Sequence, residues 1–168
     1  MANTLFSIGY DKARLADVVA TLAASGVATL IDVRDRPISR RPGFSKRQLA
    51  AAVEEAGIRY VHLQALGTPP EGREANRRRY WARFWGIVEA KLASTEAELA
   101  LQQTAAVAQE SPSCLLCYEA DWRCCHPGGS PKSSPSGTAL RCITSAPRAI
   151  WPSRRRARSA GSPQSRRP

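Results

Sequence analysis

Apolar positions along residues 1–126 alternate between short continuous runs and stripes of helical spacing. Runs of six or seven mainly apolar residues predict four strands, at 4–10, 27–33, 58–63 and 113–118. Apolar residues three and four positions apart predict helices over 11–25, 46–56, 75–93 and 96–109. Strands that alternate with helices in this way predict an α/β domain with a mostly parallel sheet and right-handed crossovers.

Local signals refine the helix predictions. Ser45 has the residue type preferred at an N-cap and directly precedes the second predicted helix. The stretch 67–73 is rich in glycine and proline and predicts a loop. After it, residues 75–93 predict one continuous helix whose apolar face is formed by Tyr80, Phe84, Ile87 and Val88.

The composition changes after His126. In residues 127–168, 20 of 42 residues are Pro, Ser or Gly, and the apolar positions follow neither a helix nor a strand period. We therefore divide the chain into a domain of residues 1–126 and a tail of residues 127–168. The tail is interpreted either as a disordered basic segment or as the product of a shifted reading frame, in which case the final helix and strand of the domain are missing.

The formal charge of +11 belongs to this tail. Nine of the 25 basic residues and none of the 14 acidic ones lie in 127–168, which leaves 16 basic and 14 acidic residues, a net charge of +2, in residues 1–126. An argument for nucleic-acid binding from the overall charge therefore concerns the tail alone. The N-terminus lacks the pattern of a secretory signal and no apolar run is long enough for a membrane span, so we expect a cytoplasmic protein without a membrane partner.

Polar and reactive side chains follow the ends of the predicted strands. Because ligands of parallel sheets bind at the carboxyl ends of the strands, we expect one rim to contain Gly9, Asp32–Arg36, His62–Gly67 and Cys117–His126. Five cysteines, three of them close to His126, fit reduced thiols better than a set of disulfides.

Four segments in this order resemble the domain-of-unknown-function 488 family of small bacterial and archaeal proteins. They are Ser7–Tyr10; Asp32–Arg34 with Pro37, Ser39–Arg40 and Phe44; Tyr60–His62 with Leu66–Gly67; and Leu116–Glu119 with Cys125–His126. The resemblance covers nearly all of residues 1–126. It implies a three-layer, Rossmann-like fold with these residues in one pocket, and it implies no established activity.

The chain departs from the family pattern at two places. Tyr10–Lys12 stands where the family has a turn rich in serine or asparagine. Pro127 stands where the family continues with arginine, a helix and a closing strand, and proline disfavours a helical residue before it. The second departure supports the frameshift interpretation.

The residues expected at the rim fall into two groups. Expected binding residues are Gly9, Asp32, Arg34, Arg40, Phe44 and Gly67, and expected catalytic residues are Cys117, Glu119, Cys125, His126 and His62. Asp32 and Arg34 form a salt bridge that anchors the following loop, or else Arg34 forms an anion site with Arg40 and Arg41. His62 is either a structural residue or a general base.

The thiols allow three interpretations: a nucleophile activated by a nearby histidine or arginine, a buried structural thiol, or a zinc ligand. Cys114 and Cys117 cannot share a metal on one strand because residues three apart face opposite sides. Cys117 and Arg123 match the spacing of a phosphatase signature and residues 30–34 resemble a rhodanese strand, but the carboxylates of Glu119 and Asp121 disfavour an anionic substrate. No metal and no cofactor are expected.

These residues support more than one function. The leading hypothesis is an enzyme-like domain, thiol-dependent in one version, with a pocket for a small anionic ligand. The alternatives are a non-catalytic module that binds a nucleotide or nucleic acid, and a non-functional frameshifted product. Arg77–Arg79, Tyr80 and Trp81 mix basic and aromatic side chains and provide the weaker indication of nucleic acid.

Overall fold

The structure, a computed structural model, describes residues 5–118 and the backbone of residues 140–142. Its strands are β1 (Leu5–Gly9), β2 (Thr29–Asp32), β3 (Arg59–His62), β4 (Ser113–Cys117) and β5 (Leu140–Cys142). Its α-helices are α1 (Leu15–Ala24), α2 (Lys46–Glu55), α3 (Pro70–Arg77), α4 (Trp81–Leu92) and α5 (Thr95–Glu110). A short 3-10 turn covers Gln64–Leu66.

The strands form one parallel sheet in the order β3-β2-β4-β1-β5. The expected α/β, Rossmann-like fold with a parallel sheet is thereby confirmed. In the register of the sheet, Asp32 lies opposite His62 and Leu116, and Gly9 lies opposite Cys117. The carboxyl ends of β1 to β4 therefore meet at one edge, which we call the rim.

β5 differs from the expectation that the final strand is missing. Its three residues lie in the segment assigned to the tail, and they pair in parallel with Leu5–Ser7 of β1. Residues 119–139 and 143–168 lie outside the described residues. The domain boundary at residue 126, the nature of the tail and the frameshift therefore stay predictions.

The core has two layers, one on each face of the sheet. On one face α1 and α2 pack through Val18, Leu22, Leu49 and Val53 against a buried cluster that includes Ile8 and Leu30. On the other face α5 packs through Ala100 and Val107 on Ile31 and Leu63. Because side chains alternate along a strand, Asp32 projects with Leu30 to the α1–α2 face.

The prediction of one continuous helix over 75–93 was wrong. α3 begins at Pro70, inside the predicted loop, and ends at Arg77, and α4 begins only at Trp81. Arg79 has a φ of 59°, its N–H donates to the Asn76 carbonyl, and the Tyr80 N–H donates to the Ala75 carbonyl. This is a Schellman motif, which ends a helix with a left-handed residue. Tyr80, expected on the apolar face, is therefore 54% exposed.

The helices of the described chain are short. The longest, α5, has 16 residues and begins at Ser94, whose hydroxyl accepts the Ala97 N–H at 3.3 Å. Ser45 occupies the N-cap position of α2 as predicted, but its hydroxyl exchanges hydrogen bonds with the backbone of Ser39. Within residues 5–118, none of the helices combines the length and apolar character needed to cross a bilayer.

Candidate functional site at the rim

Asp32 and Arg34 form a buried ion pair at the end of β2. The guanidinium donates in two-pronged fashion to the carboxylate, from Nε to Oδ1 at 2.8 Å and from Nη2 to Oδ2 at 2.6 Å. The backbone N–H of Arg34 adds a third bond to Oδ1 at 3.0 Å. The Asp32 side chain is 0% exposed and that of Arg34 is 9% exposed. Each partner therefore neutralises the charge of the other in the protein interior.

The remaining face of Arg34 holds the loop that follows β2. Nη1 donates to the Tyr10 hydroxyl at 3.1 Å and to the Phe44 carbonyl at 2.8 Å. The rings of Tyr10 and Phe44 stack with centroids 4.5 Å apart, and the guanidinium carbon lies 5.2 Å from the Tyr10 centroid. Four of the five N–H donors of an arginine side chain are thus used within the protein. Arg34 fixes residue 44 to the end of β2.

Tyr60 completes the cluster from β3. Its hydroxyl donates to Asp32 Oδ2 at 2.5 Å. Asp32 thereby accepts four hydrogen bonds, three from Arg34 and one from Tyr60, which satisfies a carboxylate that has no contact with water. Tyr10, Tyr60 and the Asp32–Arg34 pair form one connected polar network on the α1–α2 face, which we call the rim network.

The electrostatics of the rim network favour the charged forms of both partners. Burial alone would raise the pKa of Asp32, but the hydrogen bonds from Arg34 and Tyr60 and the charge of Arg34 outweigh it and hold that pKa below its ordinary value. Burial would lower the pKa of Arg34, and the hydrogen bond and charge of Asp32 raise it instead. Burial and the bond to Asp32 raise the pKa of Tyr60, so its hydroxyl keeps its proton.

His62 lies beside this network in a second chain of contacts. Its Nε2 is 2.8 Å from the Arg34 carbonyl oxygen, and its Nδ1 is 3.2 Å from Lys46 Nζ at the start of α2. A carbonyl oxygen only accepts, so Nε2 carries the proton and Nδ1 accepts from the lysine. The contacts therefore assign a neutral imidazole with both nitrogens in use.

The close approach of two loops explains the glycine at position 67. A Cβ atom on Gly67 would lie 2.5 Å from the Asp35 Cα and 2.7 Å from its Cβ. The Asp35 carboxylate in turn accepts from Arg73 Nη1 of α3 at 2.8 Å, and the same nitrogen donates to the Thr68 carbonyl at 2.7 Å. Gly67 therefore serves packing between the loops after β2 and β3.

Basic side chains are concentrated in residues 32–47. This stretch contains six basic residues and two carboxylates, a net charge of +4 (6 − 2). Asp32 is neutralised by Arg34 and Asp35 by Arg73. Arg41 donates from Nη2 to the Ala13 carbonyl at 2.9 Å. The Arg40 side chain is exposed and makes no hydrogen bond or ion pair with the described part of the chain.

The thiol and histidine candidates are not brought together within the described residues. Cys117 ends β4 and is half-buried; it shares the side of the strand with Ser113, whose hydroxyl contacts the Val107 carbonyl of α5. It thus lies on the α5 face, across the sheet from Asp32 and Tyr60. Glu119, Cys125 and His126 lie outside the described residues, so their catalytic roles stay predictions. Residues 5–118 contain no group of three or more His, Cys, Asp or Glu that could hold a metal ion.

The structure also adds partners that the sequence analysis did not assign to the site. Tyr10 and Tyr60 provide the hydroxyls of the rim network, Lys46 contacts His62, and Arg73 holds Asp35. Tyr10 and Tyr60 belong to the segments that carry the family resemblance. Arg73 carried no local signal, because its contact to Asp35 spans 38 residues of sequence.

The comparisons with known proteins agree with the resemblance. The family model described as a domain of unknown function, DUF488, matches residues 14–128. No curated protein and no solved structure matches the chain.

Proposed function

The chain belongs to the DUF488 family, and from the geometry of its rim we propose that it binds a small anionic ligand, with a phosphate or carboxylate group, at the loop of residues 35–47. The observation that carries the proposal is the exposed side chain of Arg40. It belongs to a stretch with a net charge of +4 in which both carboxylates already have arginine partners. A guanidinium without an acidic partner offers a paired set of donors to phosphate or carboxylate.

Arg34 has a different role in this proposal. It already donates four hydrogen bonds inside the protein, so it holds the loop rather than the ligand. Its bonds to the Phe44 carbonyl and Tyr10 limit the movement of the loop that carries Arg40. A ligand therefore binds to a loop whose shape is fixed beforehand, which lowers the entropy cost of binding.

Lys46 provides a second cation for the same ligand. One of its three N–H donors contacts His62, and the other two are available to an oxygen of the ligand. Lys46 is exposed, and it begins α2 directly after the loop that contains Arg40. The neutral His62 positions the ammonium group and leaves its charge to the ligand.

Calorimetric titration with inorganic phosphate, pyrophosphate and citrate tests the proposal. Arg40→Gln is expected to weaken binding of the best of these by ~10- to 100-fold, because a hydrogen bond to a charged group contributes about 1.5–3 kcal/mol. Arg59→Gln is the matched control, since Arg59 begins β3 at the opposite edge of the sheet and has one exposed partner, Glu110. Equal affinity of both variants, or no binding by the wild type, contradicts the proposal.

Thiol chemistry is the second candidate, and the position of Cys117 favours it. This residue ends β4 at the rim, half-buried and opposite Gly9 in the register. A nucleophilic cysteine reacts as the thiolate, so alkylation by iodoacetamide near pH 7 should show one thiol at least ~10 times faster than a model thiol. The fast reaction should disappear in Cys117→Ser. Ordinary rates for every cysteine, with ligand binding retained in that variant, favour the binding module.

A further inference from the structure

The junction between α3 and α4 exposes two consecutive aromatic rings. Tyr80 is 54% exposed and Trp81 is 41% exposed. The Schellman motif at the end of α3 places them there, because the left-handed residue 79 turns the chain before α4 begins. Among the rings of residues 5–118, Trp81 makes an edge contact with Phe84, whose ring centroid is 6.3 Å away. Both rings therefore present surface on which another ring can stack.

Arginines surround these rings and fall into two classes. Arg77 and Arg78 both pair with Glu74, Arg78 at 2.5 Å. Arg79 and Arg83 are exposed, and their side chains form no ion pair or hydrogen bond with residues 5–118. Residues 71–83 hold five basic and two acidic residues, a net charge of +3 (5 − 2). Arg79 and Arg83 are therefore the two arginines of the junction that have no acidic partner within residues 5–118.

A cavity of about 440 Å³ opens beside Tyr80. Its walls include Pro70, Glu71, Glu74, Arg78, Tyr80 and Arg83. Tyr80 and the acidic residue Glu71 line the same space, so an aromatic ring with amino groups finds both a stacking surface and a hydrogen-bond acceptor there.

We propose that the α3–α4 junction is a binding platform for single-stranded nucleic acid. Bases stack on Tyr80 and Trp81, and the phosphates between them contact Arg79 and Arg83. Exposed aromatic rings interleaved with unmatched cations are the combination by which proteins hold unpaired strands without reading their sequence. A duplex keeps its bases stacked on each other and does not offer them to these rings. The platform is distinct from the rim and does not depend on the ligand proposed there.

The conformation of Arg79 supports the assignment. A non-glycine residue at a φ of 59° is strained, and the position after a helix C-cap usually has glycine for this reason. The side chain at this position is exposed and forms no hydrogen bond or ion pair within residues 5–118 that would compensate the strain. A contact with phosphate provides that compensation.

The test uses the full chain and an oligothymidine of about twelve nucleotides with a fluorescent label, measured by anisotropy at several salt concentrations. Tyr80→Leu and Trp81→Leu are each expected to weaken binding by ~5- to 100-fold. Tyr80→Phe keeps the ring and is expected to retain wild-type affinity. The nine basic residues of the tail are the same in every variant, so a difference in affinity between variants arises at the junction.

The salt dependence of binding tests the contribution of Arg79 and Arg83. Removing two phosphate contacts by Arg79→Gln with Arg83→Gln is expected to reduce the slope of log affinity against log salt by about 1.4. The matched pair Arg14→Gln with Arg59→Gln removes the same charge from arginines that already have acidic partners, and its slope should equal that of the wild type.

Three results overturn the proposal. The first is wild-type affinity in both leucine variants, which assigns the strand to the tail and the exposed rings to a protein partner. The second is an equal change of slope in the two arginine pairs. The third is competition by thymidine monophosphate at the same concentration as by the oligomer, which indicates a mononucleotide site. None of these measurements involves Arg40, so the proposed rim site is tested separately.

Discussion

The rim network and the α3–α4 junction contain the same kind of ion pair in opposite surroundings. At the rim, Asp32 and Arg34 have side chains that are 0% and 9% exposed. At the junction, Glu74 and Arg78 have side chains that are 43% and 63% exposed, at a comparable separation of 2.5 Å. Water and ions screen the second pair and not the first. We therefore expect the fold to depend on the buried pair and to depend little on the exposed pair.

The largest difference between the two regions should appear in the free energy of unfolding when the acidic partner of each ion pair is removed. Asp32→Asn leaves the Arg34 guanidinium buried without its counter-charge, and we expect a loss of about 3–5 kcal/mol in the free energy of unfolding. Glu74→Gln removes the matched exposed partner and should change the free energy of unfolding far less, because water and ions screen an exposed pair. Urea unfolding followed by circular dichroism measures both. A cost for Glu74→Gln as large as that for Asp32→Asn would contradict the distinction.

Acid should remove the same stabilisation from the wild-type protein. The pKa of Asp32 in the folded state lies below its ordinary value of about 3.8, so its contribution is fully present above that value. It is lost as the pH falls through the folded-state pKa, because protonation then stabilises the unfolded chain. The difference in urea midpoint between the wild type and Asp32→Asn should therefore be constant from about pH 7 to 5 and shrink below about pH 4.

A difference in midpoint that persists undiminished to about pH 3 would show that Asp32 acts mainly through shape and hydrogen bonding rather than charge. Glu74→Gln provides the comparison. The hydrogen bonds from Arg77 and Arg78 hold the pKa of Glu74 below its ordinary value as well. Its pair is open to water, however, so we expect no comparable change of its small effect with pH.

Gly67 at the rim and Gly86 in α4 differ in the space around them. At the rim, Gly67→Ala would place a Cβ atom 2.5 Å from the Asp35 Cα, so we expect a loss of about 1–3 kcal/mol. In α4, a Cβ atom on Gly86 would have no atom within 4 Å, and Gly86→Ala should stabilise the protein by about 0.5–1 kcal/mol. Thermal unfolding compares them. A neutral Gly67→Ala would show that the two rim loops can separate at little cost.

The prediction for Gly67 has a second consequence for binding. Displacing the backbone of Asp35 moves the start of the loop that carries Arg40. Gly67→Ala should therefore weaken phosphate binding at the rim more than Gly86→Ala does, by calorimetric titration. Unchanged binding in a destabilised Gly67→Ala would mean that the site does not depend on the contact between the loops.

The sequence predicts the strands and the position of the rim, but it does not predict which side chains meet there. The strands and the parallel sheet follow from short-range apolar patterns, so the bounds of β1 to β4 differ from the predictions by two residues or fewer. The rim followed from the rule that parallel strands end at one edge. The partners within the rim network did not, because Tyr10, Arg34 and Tyr60 meet across 24 and more residues of sequence. No local pattern encodes such contacts.

The break between α3 and α4 shows a second limit of the sequence. The pattern of residues 75–93 is helical throughout, and a Schellman motif is normally recognised by its glycine. Here Arg79 occupies the left-handed position, so the usual signal for the end of the helix is missing. The arginine at this left-handed position is also one of the two that we propose to contact phosphate.

The smallest change in the free energy of unfolding is expected from replacing Arg79. Arg79→Gly removes the strain of a side chain at a φ of 59° and should raise the free energy of unfolding by about 0.5–1 kcal/mol. Arg79→Ala removes the same charge but keeps the Cβ atom, so it should gain little. Urea unfolding of both variants measures the two free energies of unfolding. An equal gain in Arg79→Gly and Arg79→Ala would indicate that relief of charge repulsion among Arg77, Arg78 and Arg79, and not relief of backbone strain, stabilises the protein.

The binding data from the same two variants decide what the strain at Arg79 is for. Both lose the guanidinium, so both should lower the salt dependence of oligothymidine binding by about 0.7. If Arg79→Gly is more stable and binds more weakly, the arginine lowers the stability of the turn in order to keep a cation beside Tyr80. If it is more stable and binds as the wild type does, the left-handed arginine has no part in the platform, and its strain needs a cause outside nucleic-acid binding.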